Sequence, residues 1–406
     1  MMKTFVGPIA AMALLIGLVL GATPVGASVD SATLVPTPAP GSASYLRSVD
    51  CLTVTTCIAV GDTYDGSVTE PLIESWDGTS WVVIPSPTLP YPASRLGGVS
   101  CVDPSFCAAV GDYFSSFDGD HALTEIWDGT SWSEVDSPDG GTATRLKSVS
   151  CVSATFCIAV GQAAGGTLTV AERWDGTAWS VMQTANPEAY NALTSVSCVS
   201  EDFCIAVGYS GGNGSPEARS TVWDGSQWSA VAISNLGPGS SAESVSCLTT
   251  TFCMFTGLIM GQPSQGITGF WDGSAWTLDP SFVVDPAIGI YLDSVDCVSE
   301  QSCTVVGGRY LLNGKQEPVM VNWDGTGWTE ITAPIESEKD YSELYSVSCS
   351  SPWRCMAVGY FEPVGPDVTL SIELTGPEPP PSTTSTTAIS TTTTAASDPI
   401  VPVFAG

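Results

Sequence analysis

From Ser148 to Gly161 the chain reads SVSCVSATFCIAVG: two short, mostly apolar runs, each carrying a cysteine, joined by a small polar turn. Runs of this length and spacing predict a tight β-hairpin. The pattern returns seven times, and no long stretch after the N-terminal segment carries a helical period. A second marker, Trp-Asp-Gly-x-x-Trp, falls between the cysteine hairpins at 76–81, 127–132, 174–179, 223–228, 271–276 and 323–328. Asp-Gly between strand-like runs signals another hairpin, because its turn needs positive φ. With Asp and Gly as the central pair, both tryptophans are expected on one face of the hairpin, set diagonally.

Each repeat therefore predicts four strands. In the third these are Leu146–Val152, Phe156–Gln162, Leu168–Trp174 and Trp179–Gln183. Successive first cysteines lie 47 to 52 residues apart, a period that marks a solenoid, a propeller or an array. The seventh repeat stops after its third strand, at Gly376, and the segment Thr33–Pro38 matches the fourth strand of the other units. The sequence thus predicts an all-β fold, a seven-bladed β-propeller of four-stranded antiparallel blades, its ring closed by an N-terminal strand that completes the last blade.

Both ends lie outside this pattern. Lys3, the apolar run Val6–Leu20 and the small residues Val25-Gly26-Ala27 read as a secretory signal, residues 1–27. Residues 28–376 are the propeller. Residues 377–406 form a Pro/Thr-rich tail whose composition cannot bury a core. No membrane span is expected after signal cleavage.

Composition narrows the partners. The 406 residues include 42 acidic and 11 basic side chains, a net charge of −31. That argues against nucleic acid and anionic membrane surfaces, which need clusters of Lys and Arg. The expectation is a secreted or extracellular monomer, associated with the cell wall or free of it. All 14 cysteines fall in pairs separated by five residues. In an exported chain such pairs predict local disulfides, Cys51–Cys57, Cys101–Cys107, Cys151–Cys157, Cys198–Cys204, Cys247–Cys253, Cys297–Cys303 and Cys349–Cys355. Zinc would want shorter ligand spacing and four ligands per site.

The pattern SVSC-x5-C-x-AVG … WDGTxW resembles the repeats of secreted β-propeller proteins of actinobacteria, over residues 29–376, and is more distantly similar to kelch and Asp-box propellers. The Asp-box separates Asp from Gly by one residue, whereas Asp77-Gly78 and its copies are adjacent. Sialidase-like enzymes of that group use an arginine triad, which nothing here matches residue for residue.

Topology sorts the loops. The turns between the first and second strands and between the third and fourth share one face and are nearly uniform. The remaining loops share the other face and vary in length and content, as binding loops on a rigid scaffold do. Tyrosines collect at that variable face: Tyr64, Tyr113, Tyr209, Tyr310 and Tyr360 follow the second strands, while Tyr45, Tyr91, Tyr190, Tyr291 and Tyr341 precede the first. They are ligand-binding candidates, with rim packing between blades as the alternative. Asp50 and Asp296 replace the Ser before the first cysteine and are expected to edge the central channel, as solvated carboxylates or ligand contacts. The only histidine, His121, reads as an exposed loop residue. Asp118 and Asp120 beside it offer a weak calcium possibility; otherwise no cofactor is expected. Three functions stay open. One is a non-enzymatic binding or scaffold protein for a glycan, cell-wall component or surface protein. The others are a sialidase-like or lyase-type glycan-active enzyme and a structural envelope or coat protein.

Overall fold

The computed structural model describes residues 28–378 apart from 118, 187–189, 213–214, 235, 283–288, 313, 336–340 and 363–366. The expected signal segment, Asp118 and most of the tail lie outside the described residues. Every described element is a β-strand. They form five four-stranded sheets and one of eight strands, the latter two four-stranded units joined by the single parallel pair Thr69–Ala93. The third repeat is representative: Arg145–Ser153, Phe156–Ala163, Leu168–Trp174 and Trp179–Met182 pair in sequence order. The seventh repeat supplies three strands, and Ser31–Val35 pairs antiparallel with its third strand, Val368–Thr375.

All seven expected disulfides are present. Each links directly opposed residues of one hairpin, with Cα atoms 3.9–4.0 Å apart. A loop this short contributes about 2 kcal/mol per bridge on a chain-entropy account. Seven disulfides fit an oxidising compartment. No helix among the described residues is long and apolar enough to cross a membrane.

The tryptophan hairpin differs from expectation. Trp76 and Trp81 are direct cross-strand partners, as are the other five pairs, with centroids 5.4–5.8 Å apart. The reason is the loop length. Asp77-Gly78-Thr79-Ser80 is a four-residue loop, not a two-residue one: Asp77 N–H donates to Ser80 O, and Asp77 Oδ1 accepts from the N–H groups of Thr79 and Ser80 at 2.8 and 2.9 Å. Gly78 takes φ 93° there. The paired indoles are mostly buried and belong to the core that lies between each sheet and the one before it.

The first strand of each sheet is the innermost. It contacts the first strand of the next repeat in order, and Tyr341–Ser351 of the seventh returns to Ala43–Thr53 of the first. Each of these strands carries a β-bulge between Leu and Ser of its Leu-x-Ser-Val text, or the equivalent residues. The apolar pattern demands it. Leu46 and Val49 are three apart, yet both are buried in one cluster, and the same holds for Leu146 with Val149. Strict alternation would put them on opposite faces. The glycine that ends each Ala-Val-Gly run, or the equivalent Phe255-Thr256-Gly257 and Val305-Val306-Gly307, permits the bulge. A Cβ on Gly61, Gly111, Gly161, Gly208, Gly257, Gly307 or Gly359 would stand 1.9–2.1 Å from the carbonyl oxygen of the opposite strand.

An inner strand is a sheet edge, so alternate N–H groups point away from their own sheet. Two belts of side-chain oxygens receive them. Cys51, Cys101, Cys151, Cys198, Cys247, Cys297 and Cys349 donate backbone N–H to Ser348, Asp50, Ser100, Ser150, Ser197, Ser246 and Asp296 of the preceding repeat, at 2.6–3.1 Å. In the second belt the valine two residues earlier donates to a serine in six repeats, at 3.1–3.2 Å. Gly98 interrupts that belt.

Candidate functional site

Each bulge turns one side chain out of the strand's alternation and toward the axis, the re-aiming that bulges commonly perform. The seven bulged positions are Arg47, Gly97, Lys147, Thr194, Glu243, Asp293 and Tyr345, and all line one axial cavity of about 180 Å³. Its floor is the serine layer of the second belt. The ring is asymmetric. Two cations lie on one side, flanking Gly97, and two carboxyls lie on the other.

The charges are held in different ways. Asp62, buried in the adjoining second strand, takes Arg47 Nε in an ion pair, and the guanidinium lies 5.5 Å from the Tyr45 ring centre. Lys147 makes no ion pair among the described residues; the protein around it lowers its pKa, although the residue is exposed. Glu243 accepts from Ser241 Oγ at 2.5 Å, and burial raises its pKa. Asp293 shares a hydrogen bond with Glu343. Burial, then the Glu343 and Glu243 carboxyls, push Asp293 well above the usual carboxylate range. Its Oδ2 is buried without a partner. Burial thus resists ionisation on this acidic side more than it would for ordinary surface carboxyls.

The tyrosines gather around this axis in groups. Tyr45, Tyr360 and Tyr345 form a chain of ring contacts, with centroids 5.5 Å apart at each step. Tyr291 meets Tyr310 edge to face at 5.3 Å. Tyr190 and Tyr209 line a mostly apolar groove of about 310 Å³ with Leu258 and Met260, and Glu243 borders both that groove and the axial cavity. Burial raises the Tyr360 hydroxyl to about 12. Tyr91 stacks on Tyr113 at 3.6 Å, and Tyr113 on His121 at 5.1 Å, farther from the axis. Tyr64 ends its strand, exposed, and Tyr341 opens its own, also exposed.

His121 corrects the sequence reading. It sits on the strand Gly119–Trp127, half-buried, with Nδ1 2.7 Å from Asp139 Oδ2. The text around it looks loop-like because Gly119 and Asp120, residues typical of turns, open the strand itself. Asp120 is ion-paired with Arg145 at 2.7 Å, and among the described residues no group of three or more possible ligands is placed to hold a metal. Asp50 and Asp296 lie on innermost strands but are not among the residues lining the axial cavity; each does a serine's job, accepting a neighbouring cysteine N–H. Burial pushes them up to about 6 and about 7. The turn aspartates are held below the usual range by their own turn hydroxyls and N–H groups.

Two sets of residues escape the sequence reading. The bulge ring has a visible signal: between a Leu, replaced once by Ala242, and a Ser, replaced once by Gly98, the same position reads Arg, Gly, Lys, Thr, Glu, Asp and Tyr. The other set is Glu74, Glu125 and Glu172, fully buried two residues before the first tryptophan of repeats 1 to 3. Ser86 and Ser137 bond to Glu125 and Glu172, while both Glu74 oxygens lack partners.

No protein-family model matches the chain, and no curated protein matches it by sequence. Solved structures do resemble it. YCF48 bound to a D1 peptide superposes with TM-score 0.54 at 12% identity, covering 86% of this chain and all of that one. YCF48 from Cyanidioschyzon merolae gives 0.52 at 15% identity, covering 85% and 98%. An ulvan lyase, a polysaccharide lyase bound to its saccharide, gives 0.52 at 10% identity, covering 87% and 96%. These likenesses establish a β-propeller repeat fold.

Proposed function

We propose that the chain is an exported, non-catalytic recognition propeller. Its variable face, centred on the axial cavity, holds a glycan, a cell-wall component or a surface protein. In this reading residues 1–27 are a cleaved signal, residues 28–376 make a monomeric seven-bladed ring, and residues 377–406 are a spacer. Three observations support closure of the ring: the pairing of Ser31–Val35 with the last sheet, the donation from Cys51 and Val49 to Ser348 and Ser346, and the core shared by Met356 and Val358 with the first repeat.

The observation that carries the functional reading is the bulge ring. The bulged position carries a different residue in each of the seven repeats, and it lines a cavity at the end where the tyrosines gather. The Ser-Val-x-Cys text that follows it varies far less. YCF48 binds a peptide and the ulvan lyase a saccharide, so the fold accommodates either class.

The test is saturable binding of the full oxidised chain to cell-wall fragments, polysaccharides and surface proteins, with products assayed in the same wells. Binding of intact ligand is expected, with the double variant Tyr190→Ala/Tyr209→Ala losing it at an unchanged melting temperature. The hydrogen-bonded pair Asp293–Glu343 favours a second reading, a glycan-active enzyme using one protonated and one ionised carboxyl. Ligand cleavage abolished by Glu343→Gln would establish that reading and overturn the first.

A further inference from the structure

The axial ring restricts its occupant more tightly than the variable face as a whole does, given the proposed function, in which that face is the binding face. The charges of the ring are sorted by sign. Arg47 and Lys147 occupy consecutive charged positions, with only Gly97 between them, and Glu243 and Asp293 are adjacent on the far side of Thr194. No ion pair joins the two sides among the described residues. Arg47 is engaged by Asp62, Glu243 by Ser241, and Asp293 by Glu343. Lys147 makes no ion pair among the described residues, although its charge is felt by Glu243. Gly97 contributes no side chain, so the basic wall keeps room for an approaching group.

Each ligand class can be weighed against that arrangement. A neutral sugar gains nothing from separated charge. A simple anion meets Glu243 and Asp293 across the cavity, and a simple cation meets Arg47 and Lys147. A molecule carrying both signs a few bonds apart satisfies both walls at once. Size restricts it further: about 180 Å³ lies below the roughly 300–1,000 Å³ of sites for drug-sized ligands.

We propose that the axial cavity binds a small zwitterion, a free amino acid or short peptide, with its ammonium against Glu243 and Asp293 and its carboxylate against Lys147 and Arg47. Glu243 continues into the apolar groove of Tyr190, Tyr209, Leu258 and Met260. A side chain next to the ammonium group can extend there.

Titration calorimetry of the full oxidised chain tests this with alanine, Ala-Ala, N-acetyl-Ala-Ala and Ala-Ala-amide. Saturable binding of alanine or Ala-Ala is expected, weakened at least tenfold by blocking either terminus. Lys147→Met should weaken Ala-Ala at least tenfold while leaving the amide unchanged, and Glu243→Gln should do the same relative to the acetylated form. Melting temperatures report that both variants fold. Absence of saturable binding by alanine and Ala-Ala, or equal binding of the blocked forms, overturns the proposal. A chain that captures a polysaccharide through its tyrosines yet ignores Ala-Ala loses only this inference. One that binds Ala-Ala with charge selectivity and no larger ligand keeps the inference and loses the wider reading.

Discussion

Asp50 and Asp296 show how one position can be structural and costly together. Each accepts a cysteine N–H that serine accepts elsewhere, and each does so as a buried carboxyl whose ionisation is resisted. The folded chain therefore keeps these protons longer than the unfolded chain does. Their stabilisation is complete below about pH 4, the unfolded carboxyl range, and is lost as pH rises through about 6 and about 7. Asparagine retains the accepting oxygen and cannot ionise. Asp296→Asn should raise stability at pH 8 by about 1–2 kcal/mol and leave it nearly unchanged at pH 4. Urea midpoints at the two pH values check this; destabilisation at both would show that the charge itself is needed. In the sequence these residues are legible as exceptions, because they interrupt a serine series. Their acceptor role is not, since it depends on a backbone N–H of the following repeat some 50 residues away, which no local pattern encodes.

The bulged inner strand is the element on which the site depends. Its glycine partner removes a Cβ, the backbone closes in, and the extra residue swings to the axis. Gly307→Ala places a Cβ 2.0 Å from Tyr291 O and should destabilise by about 1–3 kcal/mol, the range of an overpacked core. Gly327→Ala, with no atom within 4 Å of the new carbon, should stay within about 0.5 kcal/mol. Equal melting temperatures for the two variants would contradict the close approach. Strand positions are readable to within a residue or two, because paired cysteines and tryptophans fix both hairpins of a repeat. The bulge is hidden by the expectation of strict alternation through Leu-x-Ser-Val. Two apolar residues three apart in the innermost strand are the clue to it. The diagonal placing of the tryptophans fails for a related reason: Asp-Gly is only half of the turn, and Asp77 also caps the N–H groups of Thr79 and Ser80.

At the scale of the whole molecule, buried acid and net charge act in the same direction. Burial pushes Glu74 up to about 8 and Glu125 and Glu172 to about 7. Like the two axial aspartates, they favour the folded state at low pH and stop doing so as pH rises through those values. The net charge of −31 at neutral pH adds self-repulsion that also grows with pH. Against this, the turn aspartates have lowered pKa values, and their contribution is lost as pH falls below the usual carboxyl range. The melting temperature should therefore peak near about pH 5 and fall steadily toward about pH 8.5. Calorimetric scans across that range check it, and a melting temperature that rises over the alkaline half would contradict it. An acidic, disulfide-stapled repeat fold of this kind is a frame that can carry a different residue at the bulged position of each repeat.

The measurement that bears most directly on that account is ligand binding by a chain whose ring is neutralised at both walls, Lys147→Met with Glu243→Gln. With the tightest ligand found for the intact chain, the account predicts loss of binding by at least tenfold at an unchanged melting temperature. Binding at full strength by the folded double variant would show that recognition lies elsewhere and that the bulge ring is not its centre.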